Sequence, residues 1–179
     1  MKAIVTLARG FEEIEAVTII DVLRRAGISV TVAALGEGPV EGSHGIEVGA
    51  DVTLDAVIDE HFDAVVLPGG MPGSRALADD PRVKELCARS ARSGALVAAI
   101  CAAPIALEAA GVLRGKRATA YPGNELPSAH YVEERVVVDG NVITSRGPGT
   151  ALEFSLALVE RLKNREAADE LAGKMIVQP

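Results

Sequence analysis

Cys101 follows Leu96-Val97-Ala98-Ala99-Ile100, a short apolar run, and precedes Ala102-Ala103-Pro104. The run reads as a buried parallel strand. The alanine-rich segment Ala102 to Ala110 reads as a helix, with Pro104 in the first turn, where its missing N–H costs nothing. A side chain at such a joint sits on a sharp turn above the sheet edge, as in the nucleophile elbow of serine hydrolases. Ala99 and Ala103 supply the small residues two places either side that a tight turn needs. The helix start offers unpaired N–H groups and a partial positive charge, which favour thiolate over thiol. A lone cysteine also packs readily as a small buried hydrophobe, and this stretch alone leaves both readings open.

The second candidate is Glu15. With Phe11 to Ala26 taken as a helix at 100° per residue, Phe11, Ala16, Ile19, Ile20, Val22 and Leu23 share one half of the wheel. Glu12 and Glu15 fall in that half, whereas Glu13 falls outside it, beside Arg24. Glu12 lies in the first turn and can escape over the sheet edge. Glu15 lies deeper, flanked by Phe11 and Ile19. A buried carboxylate needs a partner or a proton, and burial or a neighbouring thiolate raises its pKa. A protonated Glu15 can donate a hydrogen bond to the Cys101 sulfur or shuttle protons on a bound substrate. The alternative is a Glu15 that reaches solvent or merely favours the helix N-terminus by its charge.

Backbone donors come next. Gly69-Gly70 follows an apolar strand directly, and glycine there permits close approach or positive φ. The N–H groups of Gly70 and Ala102 can form an oxyanion hole, although a strand-ending turn also uses glycine. Arg146 and Gly147 lie in a second glycine-rich strand-to-helix turn, Ser145 to Thr150. Arg146 there can hold an anionic product, or simply be a solvated charge. His44, His61 and His130 have no metal-ligand spacing, so no metal is expected. Cys87, in an amphipathic helix, reads as structural. The glycine-rich pieces lack the dinucleotide and phosphate-loop patterns, so no cofactor is expected.

These residues must be positioned by a fold. Strands at Ala3–Ala8, Ile28–Leu35, Phe62–Leu67 and Leu96–Ile100 alternate with helices at Phe11–Ala26, Pro81–Ser93, Pro148–Lys163 and Glu166–Gly173. Gly36 to Gly49 reads as a hairpin-like excursion. Asp55 to Glu60 reads as a short helix or turn, and Lys116 to Tyr121 as a short strand. Val132–Val138 and Val142–Ser145 read as antiparallel strands turning at Asp139-Gly140-Asn141. The alternation predicts an α/β fold with a mainly parallel central sheet covered on both faces, and a site at the carboxyl ends of the strands. That edge gathers Arg9–Glu15, Pro68–Gly73, Cys101–Pro104 and Arg146–Thr150.

The 179 residues are taken as one domain, residues 1–179. A net charge of -7 with no basic cluster argues against nucleic acid or anionic membrane as partner. Two cysteines make no disulfide framework. No signal peptide or long apolar span is evident, so the expected location is cytoplasmic.

The sequence resembles the ThiJ/PfpI superfamily, in its deglycase branch. Phe11-Glu12-Glu13-Ile14-Glu15-Ala16 is similar to the family's glutamate motif, with Glu15 on the glutamate that contacts the cysteine. Asp21 to Gly27 resembles the stretch after it. Val66 to Gly70 resembles the oxyanion turn, Ala98 to Pro104 the elbow, and Thr144 to Thr150 the late glycine-rich turn. The resemblance implies a flavodoxin-like three-layer sandwich, a single class I glutamine amidotransferase-like domain and a homodimer. It implies glutathione-independent conversion of methylglyoxal or glyoxal to hydroxy acids, and repair of early glycation adducts on thiols or amines. It also implies an easily oxidised Cys101, held as sulfinate by Glu15. A redox-sensing or chaperone-like protein is the alternative function. Ala102 stands where protease-like members carry histidine, so peptidase activity is not expected. Tyr121, before Pro122, stands at the pocket histidine of eukaryotic members, and His44 at the pocket arginine of the hairpin region.

Overall fold

The computed structural model describes residues 1–177. β1 (Lys2–Leu7), buried after its first residue, leads through Ala8–Glu12 into α1 (Glu13–Arg25). After Gly27 comes β2 (Ser29–Ala34), then a small hairpin of β3 (Val40–Glu41) and β4 (Glu47–Val48). β5 (Val52–Thr53) runs into α2 (Leu54–Val57), followed by β6 (Ala64–Leu67). α3 (Gly73–Asp79) and α4 (Pro81–Arg92) precede β7 (Leu96–Ile100) and α5 (Pro104–Ala109). β8 (Arg117–Ala118) pairs with β9 (His130–Tyr131) in a two-stranded ribbon. β10 (Val136–Asp139) and β11 (Val142–Ser145) turn back on each other through Gly140-Asn141. A 3-10 turn at Pro148–Thr150 opens α6 (Ala151–Leu162), and α7 (Arg165–Lys174) closes the described chain.

Seven strands form the central sheet in the order β10-β11-β7-β6-β1-β2-β5. All neighbours are parallel except the β10–β11 edge pair. Alternate residues of each strand serve opposite faces. Val66 and Ala98 pack with Ile19, Phe154 and Leu158 of α1 and α6. Leu67 and Ala99 pack with Leu77, Leu86 and Leu107 of α3, α4 and α5. Each such aliphatic or aromatic side chain, removed from water, contributes about 1.5–3 kcal/mol.

The sheet order makes β11, β7, β6 and β1 consecutive neighbours. Their carboxyl ends therefore bring Arg146, Cys101, Gly69 and Glu12 to one edge, as the alternation of elements predicts.

Several elements differ from the sequence reading. α1 begins at Glu13, not Phe11, because Phe11 and Glu12 remain extended against the Gly69 turn. α3 and β5 were not foreseen: Met71 to Asp79 lacks an amphipathic repeat long enough to read, and two residues make no strand pattern. Asp80 does cap α4, its side chain accepting the Arg82 N–H at 2.8 Å. The helix after the elbow starts at Pro104, so Cys101 to Ala103 form a turn of their own.

Candidate active site at the end of strand β7

β7 ends at Ile100, and Cys101 takes φ 62°. For a side chain larger than glycine, this left-handed conformation costs of order 1–3 kcal/mol and persists only where the surroundings enforce it. Two hydrogen bonds do so. The Cys101 N–H donates to Ser145 O at 2.9 Å, and Cys101 O accepts the Tyr121 N–H at 2.7 Å. The elbow is thus tied to β11 on one side and to the segment after β8 on the other. Cys101 is 9% exposed, whereas Cys87 is fully buried in α4.

Glu15 lies in the first turn of α1 and is fully buried. Its Oε2 accepts the Gly69 N–H at 2.7 Å, and its Oε1 has no N–H or O–H partner among the described residues. Burial pushes its carboxyl up to about 7; the Gly69 N–H and the neighbouring Cys101 side chain hold back part of that rise. The alternative of a solvated Glu15 is not what the fold adopts.

The Cys101 thiol is pushed up to about 12, first by burial and then by the charge of Glu15. The Gly70 and Ala102 N–H groups act in the opposite direction. This corrects the expectation that the helix start favours thiolate. α5 begins three residues later, and its influence is outweighed by desolvation and a neighbouring carboxylate. The Glu15 charge opposes a thiolate only while Glu15 is ionised. Cys101 therefore ionises at least cost when Glu15 is protonated.

Two glycines make room for this pair. A Cβ on Gly69 would stand 2.5 Å from Cys101 Cβ and 2.6 Å from Glu15 Oε2. Gly70 has φ +90°, and a Cβ there would strike Glu12 N at 2.3 Å. The Glu12 N–H in turn donates to Gly69 O at 2.8 Å.

The remaining sequence candidates are placed unevenly. Tyr121 is half exposed beside the elbow, and its ring covers Gly147, where a Cβ would be 3.3 Å from Tyr121 Cδ2. Arg146 lies on the same edge, half-buried, 3.8 Å from Glu133. His44 is turned instead to the first turn of α1: its Nδ1 is 2.9 Å from Glu13 Oε2 and 3.7 Å from Glu12 Oε2. The contact with Glu13 is an ion pair when the imidazole is protonated. His61 and His130 are exposed.

Glu13 is the residue the helical wheel misplaced. Glu13 is buried, not solvated, because the hairpin covers a helix face that the wheel leaves open. Burial pushes its carboxyl up, but hydrogen bonds from His44 and Ile46 outweigh it and hold the group down to about 2. The Glu13 side-chain hydrogen bond, with the charges of Glu12 and Glu13, raises the His44 pKa. Glu12 is also buried. No local signal marks Glu13, since its partners lie about thirty residues later. Glu12, Glu13 and His44 bring ligand-type atoms within 4.8 Å of one another, but the Glu13 oxygens already accept hairpin donors. No helix among the described residues is long and apolar enough to cross a membrane.

The chain is 46% identical over 180 residues to Protein dj-1beta of Drosophila melanogaster, covering 98% of this chain and 96% of that one. The crystal structure of that Drosophila protein superposes with a TM-score of 0.96 at 45% identity, over 99% of this chain and 98% of that chain. Protein DJ-1 homolog B of Arabidopsis thaliana is 43% identical over 99% of this chain, which spans only 42% of that longer relative. A Caenorhabditis elegans relative named glutathione-independent glyoxalase DJR-1.2 is 38% identical, over 89% of this chain and 87% of its own length. The fold is the flavodoxin-like α/β sandwich of these neighbours. A family model described as DJ-1/PfpI family matches residues 1–161, a span that holds Glu15, Gly69, Gly70 and Cys101. The chain belongs to the DJ-1/PfpI family.

Proposed function

We propose that the protein is a cysteine-dependent, glutathione-independent glyoxalase and deglycase, acting on methylglyoxal, glyoxal and early glycation adducts of thiols or amines. The observation that carries this reading is the buried Glu15 carboxyl, titrating near neutrality beside an elbow thiol. The glyoxalase named among the relatives supports the substrate class.

The Cys101 sulfur, its proton passed to Glu15, attacks the aldehyde carbon and forms a hemithioacetal. The Gly70 and Ala102 N–H groups receive the negative oxygen, which takes up the proton from Glu15. Glu15, now a carboxylate, removes the hydrogen from the sulfur-bearing carbon as a proton and returns it to the adjacent carbonyl carbon, while the hydroxyl proton of the first carbon passes to the oxygen of the second. One carbon is oxidised and its neighbour reduced, so no external oxidant is required. The resulting thioester is hydrolysed by water, which releases lactate from methylglyoxal and restores the thiol. The unpaired Oε1 is the atom free for these transfers, because Oε2 is held by Gly69. Tyr121, Gly147 and Arg146 wall the substrate side.

Lactate formation from methylglyoxal without glutathione, compared with Cys101→Ser and Glu15→Gln, tests the reading. Both variants are expected to lose at least about a hundredfold of turnover. Equal rates in all three remove it. The protein is further proposed to act as a homodimer through Ile14 and Val17, two exposed apolar side chains three residues apart on α1. An exposed apolar helix face suits a self-complementary contact. Val17→Lys is expected to yield monomers in light scattering; an unchanged mass places any dimer contact elsewhere.

A further inference from the structure

The β3–β4 hairpin has a ladder of only two residue pairs, Val40 with Val48 and Glu41 with Glu47. A ribbon this short is not stable alone in water. What holds it is the Glu13 carboxylate. Oε1 accepts the His44 N–H at 2.6 Å and the Ile46 N–H at 3.4 Å. Oε2 accepts the Ser43 hydroxyl at 3.2 Å and lies 2.9 Å from His44 Nδ1. Gly42 lets the hairpin sit this close, since a Cβ there would stand 2.4 Å from the Glu13 carboxylate.

The hairpin does not stop at Glu13. The Ser43 N–H donates to Phe11 O at 2.8 Å, and Glu41 O accepts the Gly10 N–H at 2.8 Å. The segment Gly10–Glu13 is thus gripped from outside by the hairpin. From inside it meets the turn after β6: the Glu12 N–H donates to Gly69 O, and the Gly73 N–H donates to Gly10 O. The Gly69 peptide then completes the series, its N–H reaching Glu15.

We propose that Glu13 is a positioning residue for the Cys101–Glu15 pair: its carboxylate clamps the hairpin over the start of α1 and so sets Glu15 against the Gly69–Gly70 turn and seals it from water. The inference rests on the proposed role of that pair. Glu13 touches neither the sulfur nor a substrate. It acts through Gly10–Glu12, two residues from the acid it positions.

The test uses the full chain and two readouts. Iodoacetamide alkylation of Cys101, resolved by mass spectrometry across pH, reports the titration of the pair. Hydrogen exchange at the His44 and Ile46 amides reports the clamp. The wild type is expected to show an inflection near the Glu15 value of about 7. In Glu13→Ala, which leaves no acceptor, both amides lose protection, and the inflection moves about one unit towards acid as water reaches Glu15. Ser43→Ala combined with His44→Ala, both on the covering hairpin, moves it in the same direction by less, and decides the matter if Glu13→Ala fails to fold. A loss of stability alone would lower the melting temperature without moving the inflection. Lost protection with an unmoved inflection overturns the proposal, as do retained protection or a wild-type profile lacking the inflection. A shifted inflection in a protein that makes no lactate leaves the clamp standing and removes the glyoxalase reading.

Discussion

Gly69 donates its N–H to Glu15 at 2.7 Å, and its missing side chain is the space that Glu15 and the Cys101 Cβ share. One residue therefore holds the acid in place and also lets it reach the thiol.

Gly69→Ala is the sharpest probe of that arrangement. The new methyl meets Cys101 Cβ at 2.5 Å, Glu15 Oε2 at 2.6 Å and Ile100 O at 2.8 Å, two of them anchored to the main chain. We expect a destabilisation of about 1–3 kcal/mol in urea melts. Cys101 alkylation should lose its inflection near neutral pH. Unchanged alkylation would mean that the pair is not packed against Gly69 in solution.

Stability should fall as pH rises through neutrality. The folded Glu15 value of about 7 lies above the ordinary 4.5, so folding favours the protonated acid. That contribution is complete below about pH 4.5 and is lost as pH climbs through 7, a difference of roughly 3 kcal/mol. Glu15→Gln keeps an acceptor for Gly69 and carries no charge. It should melt higher than the wild type at pH 8 and show a flat profile between pH 5 and 8. A parallel pH dependence in the two proteins would show that Glu15 is hydrated.

Oxidation should discriminate between the two cysteines. Both thiols are raised to about 12 by burial, but only Cys101 has an exposed edge and N–H donors from Gly70 and Ala102. Mild peroxide is expected to add two oxygens to Cys101 and none to Cys87, by intact-mass and peptide mass spectrometry. Glu15→Gln should slow the second addition, since the acid can hold the sulfinate. Equal oxidation of both sites would remove the distinction drawn from exposure and would weaken the redox-sensing alternative.

Gly42→Ala tests the clamp from the hairpin side. The added methyl overlaps the Glu13 carboxylate, the far end of a flexible side chain. The side chain should swing away and release the hairpin amides, at a cost of about 1–2 kcal/mol. Hydrogen exchange confined to Ser43–Ile46 is the expected signature; exchange spread over α1 would point to general loosening.

The sequence by itself determined the alternation of the main strands and helices, the mainly parallel sheet and the elbow at Cys101. These depend on patterns within a dozen residues: apolar runs of strand length, a 3.6-residue period, and Pro104 and Gly70 at turns. It also singled out Glu15, because an acid inside the apolar stripe of α1 is visible on a wheel. Only the tertiary structure decided what surrounds those residues. Cys101 reads as activated when its own helix is considered, yet burial and the Glu15 charge, both supplied by other elements, turn its pKa upward. Glu13 reads as solvated on its own helix, yet a hairpin thirty residues on closes over it. Desolvation and charge act through space, so the sign of a titration belongs to the neighbours that the fold assembles, and no local pattern contains them.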